Sequence, residues 1–177
     1  HLGECTDIVV VANLPYYITT PILMKFLETS KRVNRMILMM QFEVANRVTS
    51  KPNTKDYNAL SVVINYLAKT KFLFKVPKTV FVPAPNVDSA IVEVIMKNDL
   101  KSIKPVDESL FFEVVHYCFK QRRKTLINNL REAYPHYQRV FFESMLETLG
   151  LRADVRAEVL SIDDFIRISD FLYHHQT

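Results

Sequence analysis

Glycine occurs only twice in this 177-residue chain, as Gly3 and Gly150. Loops that cradle nucleotide-type cofactors use glycine to turn tightly and to let backbone approach the ligand. No G-x-G sequence is present, so the chain carries no glycine-rich cofactor loop of its own. Cysteine is equally scarce, with Cys5 and Cys118. Two distant thiols supply neither a disulfide framework nor metal-ligand spacing, which fits a reducing cytoplasm and predicts no metal site. The longest apolar runs, Ile8 to Ala12 and Met36 to Met40, fall far short of a membrane span, and no basic-then-apolar signal opens the chain. No membrane partner is expected.

What is present is an ordinary globular composition. Hydrophobic residues make up 49% and charged residues 24%, enough apolar side chains for one domain, or part of one plus a second small one. The net charge of +4 suits a polyanionic partner without requiring one.

Ile8 to Ala12 is a β-branched run of the kind that forms a strand buried on both faces of a parallel sheet. Thr20 and Pro21 suit an N-cap and first helical residue, and Ile22, Leu23, Phe26 and Leu27 follow at helical spacing. Met36 to Met40 predicts a second strand. Phe42 to Val48 reads as a short helix, Ser50 to Asn58 as a loop, and Ala59 to Ala68 as a helix. Phe72 to Val76 and Val87 to Met96 predict strands, joined through the stiff segment Phe81-Val82-Pro83-Ala84-Pro85. Past the polar connection Asn98 to Pro105 only helical patterns remain. They cover Leu110 to Phe119, Thr125 to Arg131, Phe141 to Leu149 with Gly150 as its C-terminal cap, and a last helix opened by Ser161 and Asp164. His116 reads as packing, Cys118 and the Met36, Met39 and Met40 group as core, and His174 and His175 as a frayed tail. The expectation is an α/β unit over residues 1–97 and an all-helical domain over 101–177. A central-type strand as first element is unusual for an intact α/β domain. Strand 8–12 is therefore expected to expose an apolar edge through which the chain self-associates.

Asn13-Leu14-Pro15-Tyr16 follows the first strand, at the kind of strand end where open α/β sheets bind ligands. These residue types suit chemistry on the exocyclic amine of a flat base, whose lone pair is delocalised into the ring. Two acceptors aimed at its N–H groups favour a pyramidal nitrogen and localise the lone pair. The Asn13 side-chain oxygen and a backbone carbonyl held rigid by Pro15 fit that task. Tyr16 offers a stacking face worth ~1–3 kcal/mol. On the tetrapeptide alone, a strand-ending turn accounts for the residues equally well. Lys120, Arg122, Arg123 and Lys124 form a basic cluster at a helix junction, suited to phosphates. A solvated helix face is the alternative, with some members paired to Glu113 or Glu132.

Asn13-Leu14-Pro15-Tyr16 with Ile18, Thr20 and Pro21 resembles the catalytic motif of the ribosomal RNA adenine dimethyltransferases of the small-subunit type. The resemblance extends, in order, through Gln41, Glu43, Ala45 and Arg47; Tyr57, Leu60 and Ser61; Phe81 to Ala90; Phe119 to Leu126 with Asn129 and Leu130; and Arg156 to Glu158 with Leu160 and Ser161. It departs at Phe42, where many relatives have lysine, and at Asn58, where many have glycine.

The resemblance implies the latter part of a Rossmann-like methyltransferase sheet followed by a helical RNA-binding domain. It implies S-adenosylmethionine-dependent dimethylation of adenosine N6 in small-subunit ribosomal RNA during ribosome maturation, with the immature small subunit as partner. Asn13, Leu14, Pro15 and Tyr16 would be catalytic. The target adenine would lie between Tyr16 and Phe81, and Lys120, Arg122, Arg123 and Lys124 would contact RNA. Asp88 and Glu43 take structural roles, because methylating a neutral amine needs no strong base before attack. The family's glycine-rich loop and the two acidic residues that hold the donor fall before the position of His1. Asn13 is thus the one residue expected near the donor, and this chain is expected to be inactive by itself. The alternatives are the large-subunit adenine methylases that confer macrolide resistance and, from another class, a non-catalytic ribosomal-RNA-binding assembly factor.

Overall fold

The computed structural model describes residues 8–29, 32–97 and 103–175. Gly3, Cys5 and residues 98–102 of the polar connection lie outside them. The chain divides into two compact units, one from residues 1–50 and 64–100 and the other from residues 51–63 and 101–177.

The first unit is built on a four-stranded mixed sheet in the order β1-β2-β4-β3, with β1 Ile8–Asn13, β2 Val33–Gln41, β3 Ala68–Val76 and β4 Ser89–Met96. β1 pairs parallel with β2, across the connection through helix α1 (Thr19–Thr29). β2 and β3 both pair antiparallel with β4. One face of the two central strands is closed: Met36, Leu38, Met40, Ala90, Val92 and Val94 are each no more than 1% exposed. Helix α2 (Phe42–Thr49) contributes Ala45 and Val48 to the same core. Each large apolar side chain buried this way contributes about 1.5–3 kcal/mol.

The opposite face is different, and it corrects the reading of β1. The strand is not buried on both faces, because Val9 is 53% and Val11 77% exposed. A β-branched run favours a strand on either face; sheet position decides coverage. Here β1 is an edge strand, so its side chains alternate between cover and solvent.

Local boundaries also shift. Helix α1 starts at Thr19, not after a Thr20 cap. β3 begins at Ala68, directly after helix α3 (Ala59–Leu67), because pairing with β4 extends it back past the five residues Phe72 to Val76 that announced it.

The second unit packs α4 (Glu108–Cys118), α5 (Leu126–Ala133), α6 (Arg139–Thr148) and α7 (Ile162–His175). Phe111, Phe142 and Phe165 are fully buried among them, and Tyr57, held at its hydroxyl by the Leu160 carbonyl (2.9 Å), joins the same core. Side chains and turns set the helix limits. Asp107 accepts from the Leu110 N–H at 3.0 Å and caps α4. Ser161 and Asp164 cap each other reciprocally at the start of α7. Gly150 takes φ +70° after α6, with Gly150 N–H donating to Glu147 O and Leu151 N–H to Leu146 O, a Schellman turn that ends the helix. The histidines differ from expectation. His116 is exposed, and α7 runs on through His174 to His175, whose carbonyl accepts from the Tyr137 hydroxyl at 2.6 Å. Among the described residues, no helix is long and apolar enough to cross a membrane.

Replacing the exposed-side cap and a core ring separates the two kinds of stabilisation. Asp107→Ala is expected to cost about 1 kcal/mol and Phe165→Ala about 3–5 kcal/mol, measured by urea unfolding followed by circular dichroism. Equal losses would contradict this account of the helical core.

Candidate active site and basic turn

Strand pairing brings the motif-bearing ends together at one end of the sheet. Asn13, the last residue of β1, lies opposite Met39. Gln41, Ser89 and Val76 align across β2, β4 and β3. The segment after β1, the start of α2 and the loop from Pro77 to Asp88 therefore all leave from this end.

Asn13 is exposed there, and Leu14 is buried, its N–H donating to Met39 O at 3.0 Å. The chain then turns. Pro15 O accepts from the Ile18 N–H (3.1 Å) and from the Thr19 hydroxyl (2.9 Å). Thr19 is only 2% exposed, so this second bond is shielded from water. With the Pro15 carbonyl engaged twice, the backbone acceptor left beside it is the carbonyl of Leu14, on the amide that the proline ring closes. Proline at this position fixes φ and removes a competing N–H.

Tyr16 is half-buried, and its hydroxyl shares a 2.5 Å hydrogen bond with the Ser89 Oγ. Ser89 itself is fully buried at the start of β4. The bond pins one end of the tyrosine and leaves its ring as the variable face. Ser89 also follows Asp88, which holds the loop carrying Phe81. Asp88 Oδ1 accepts from the Lys78 N–H at 2.9 Å, Oδ2 pairs with Lys75 Nζ at 2.7 Å, and its carbonyl accepts from the Phe42 N–H at 3.0 Å. Lys75 also lies 4.9 Å over the Phe42 ring. Phe81 follows a 3-10 turn at Lys78–Val80 and is half-buried; the next peptide, Val82–Pro83, is cis. Asp88 thus has the structural role expected of it. The Lys75 hydrogen bond, then the Lys78 amide, hold its carboxyl below the usual aspartate range. Sequence reasoning assigned no role to Ser89 or Thr19. The Pro15–Thr19 spacing is a local signal for the second; the Tyr16–Ser89 contact spans 73 residues and has none.

The basic cluster lies in the second unit, on the turn between α4 and α5. Buried Asn129 organises that turn, its Nδ2 donating to Cys118 O (2.8 Å) and Gln121 O (3.2 Å). Glu132 gathers Lys120 (2.9 Å) and Lys124 (3.7 Å), while Glu113 instead accepts from the Tyr134 hydroxyl. The Glu132 contact lifts the Lys120 ammonium above the usual lysine range and lowers the Glu132 carboxyl. Arg122 bonds Glu158 (3.3 Å) and the Lys55 carbonyl. Of the four cations only Arg123 has no partner among the described residues. A recess of about 380 Å³ is lined by Gln121, Arg122, Arg123 and Lys124.

Asp88→Ala is expected to free the Lys78 amide and speed its hydrogen exchange severalfold, with smaller effects in the sheet core. The pH dependence has a defined sign. A lowered folded-state value means that the anchor is intact at neutral pH and is lost as pH falls through that value. Exchange at Lys78 that is unchanged in the variant would rule out Asp88 as the anchor.

Comparison with known proteins gives a consistent result. The sequence model described as "Ribosomal RNA adenine dimethylase" matches residues 1–174. The chain is 44% identical over 175 residues to the "Ribosomal RNA small subunit methyltransferase A" of Bacillus cytotoxicus, covering 98% of this chain and 60% of that protein. It is 46% identical over 169 residues to the protein of the same name from Lysinibacillus sphaericus, covering 94% and 57%. The chain thus spans about 60% of the length of the curated relatives it matches. Two solved structures share its fold. A dimethyladenosine transferase from Plasmodium falciparum superposes with a TM-score of 0.73 at 24% identity, over 90% of this chain and 64% of that one. The 23S rRNA methyltransferase ErmE gives 0.66 at 23% identity, over 94% and 66%. These likenesses show a Rossmann-like α/β fold, as the resemblance implied. On its sequence, from the strand-end motif to the last helix, the chain belongs to the ribosomal RNA adenine dimethylase family.

Proposed function

We propose that the protein to which these residues belong dimethylates adenosine N6 in small-subunit ribosomal RNA, using S-adenosylmethionine, during subunit maturation in the cytoplasm. The observation that carries this reading is the strand-end turn, in which an exposed carboxamide, a proline-flanked carbonyl and a pinned tyrosine ring lie together. The names of relatives at 44% and 46% identity support the small-subunit target over the large-subunit one.

In this mechanism the Asn13 side-chain oxygen and the Leu14 carbonyl accept from the two N–H groups of the target amine. The double acceptance localises the nitrogen lone pair and orients it. Tyr16 stacks on one face of the extruded base and Phe81 on the other. The Ser89 tether keeps the tyrosine ring from following the base. S-adenosylmethionine, when bound, supplies a methyl carbon on an excellent leaving group. The chain's own contribution is then alignment and exclusion of alternative amine geometries. The residues present fit the donor at one point, the exposed carboxamide of Asn13 at the end of a parallel strand. No described segment supplies a glycine-rich turn, so activity of the 177 residues alone is not expected. Arg123, the one cation of the Lys120–Lys124 cluster without a partner among the described residues, is the first candidate for a phosphate of the RNA. The exposed β1 edge, with Val9 and Val11, supports self-association of this chain.

Two measurements test the reading. In the full-length protein, Asn13→Ala is expected to lower the single-turnover methylation rate by about 10²–10³, the loss typical of one preorganised polar group, with RNA affinity nearly unchanged. An unaltered rate would remove Asn13 from the chemistry. Sedimentation of the 177-residue chain is expected to show concentration-dependent association that Val11→Lys abolishes. A monomer at high concentration would exclude self-association through β1.

A further inference from the structure

Residues 68–87 contain four lysines, Lys69, Lys71, Lys75 and Lys78, and no acid. Its first nine residues are β3, the edge strand at the far side of the sheet from β1. Pairing with β4 sets Lys69 opposite Ile95 and Lys71 opposite Glu93. Regular alternation would put Leu73 next on that face. The register shift between Phe72 and Phe74 sets Phe74 opposite Ile91 instead, so the bulge brings an aromatic ring into line with the two lysines. Phe74 is 57% exposed.

The charges on this edge are largely uncompensated. Lys75 is held by Asp88 and Phe42. Glu93, the acid opposite Lys71, is engaged by Arg35 at 3.5 Å. The ammonium groups of Lys69 and Lys71 have no partner among the described residues; that of Lys78 lies within electrostatic reach of Asp88, and all three residues are exposed. Lysine on an edge strand also discourages strand-to-strand aggregation. That role does not explain an exposed phenylalanine among the lysines, nor the exposed Val80 and Val82 that follow. Free cations interleaved with an exposed ring suit a single-stranded nucleic acid, with phosphates on the cations and a base on the ring.

We propose that the β3 edge and the Lys78–Val82 segment form a second RNA track, separate from the α4–α5 turn, that guides single-stranded RNA to the loop bearing Phe81. Lys69, Lys71 and Lys78 take phosphates, and Phe74 stacks on a base outside the reacting position. This inference rests on the RNA-modifying reading above and adds to it the path of the strand.

The test is fluorescence anisotropy of the 177-residue chain with a labelled RNA hairpin whose loop is single-stranded and contains adenosines, from ~50 to ~200 mM salt. Neutralising all three lysines (K69Q, K71Q and K78Q together) should reduce the magnitude of the log K against log salt slope by ~2, at ~0.7 per phosphate contact. The corresponding triple arginine variant should keep the wild-type slope. Phe74→Ala should weaken binding at least ~5-fold with the slope unchanged, as expected for a stacking contact. Arg123→Gln, in the other unit, should lower the slope by ~0.7 alone. Wild-type slope in the triple glutamine variant, with RNA bound normally, overturns the β3 track and leaves the RNA reading standing. No RNA binding by the wild-type chain overturns both.

Discussion

The antiparallel pairing of β2 with β4 is the contact on which the rest of the first unit depends. β2 holds β1 in parallel on one side and β4 on the other, and β4 in turn carries β3. Met36, Leu38 and Met40 seal one face of this central pair against Ala90, Val92 and Val94. A one-residue slip would turn this set toward solvent and separate Ser89 from Gln41. The same register that buries the core therefore places Asn13, Phe42 and the Phe81 loop at one sheet end.

Around that end, polar contacts convert proximity into fixed geometry. Thr19 and the Ile18 amide seat the Pro15 carbonyl, Ser89 fixes the tip of Tyr16, and Asp88 ties the start of the Phe81 loop to its end. None of these groups has to react. They hold acceptors and rings in a shape that would otherwise cost entropy to assemble. The Asp88 contact is an exposed ion pair reinforced by a backbone hydrogen bond, and it is the more effective for spanning a short loop.

The helical unit applies the same economy to charge. Buried Asn129 closes the turn after α4, and Glu132 draws in two of the four cluster cations. Arg122 is committed to Glu158 and to a backbone carbonyl. The four cluster cations are all exposed, and three of them are ion-paired. The cluster is a braced turn in which, of the four, Arg123 alone has no partner among the described residues.

The sequence by itself determined the order of elements, the core character of Cys118, Met36 and Met40 (Met39, read as core with them, is only half-buried), the caps at Ser161 and Gly150, and the motif that marks the family. These follow from local rules: side-chain periodicity, cap chemistry and short spacings act within a few residues. The tertiary structure alone decided that β1 is an edge with Val11 in solvent, that β3 bulges at Leu73 and extends to Ala68, and that residues 51–63 belong with the helices. It also decided which partner each polar side chain takes, as with Tyr16 and Ser89 or Lys120 and Glu132. Those outcomes depend on which distant strands and helices become neighbours, and a β-branched run or a lysine looks the same in sequence whether or not a neighbour covers it.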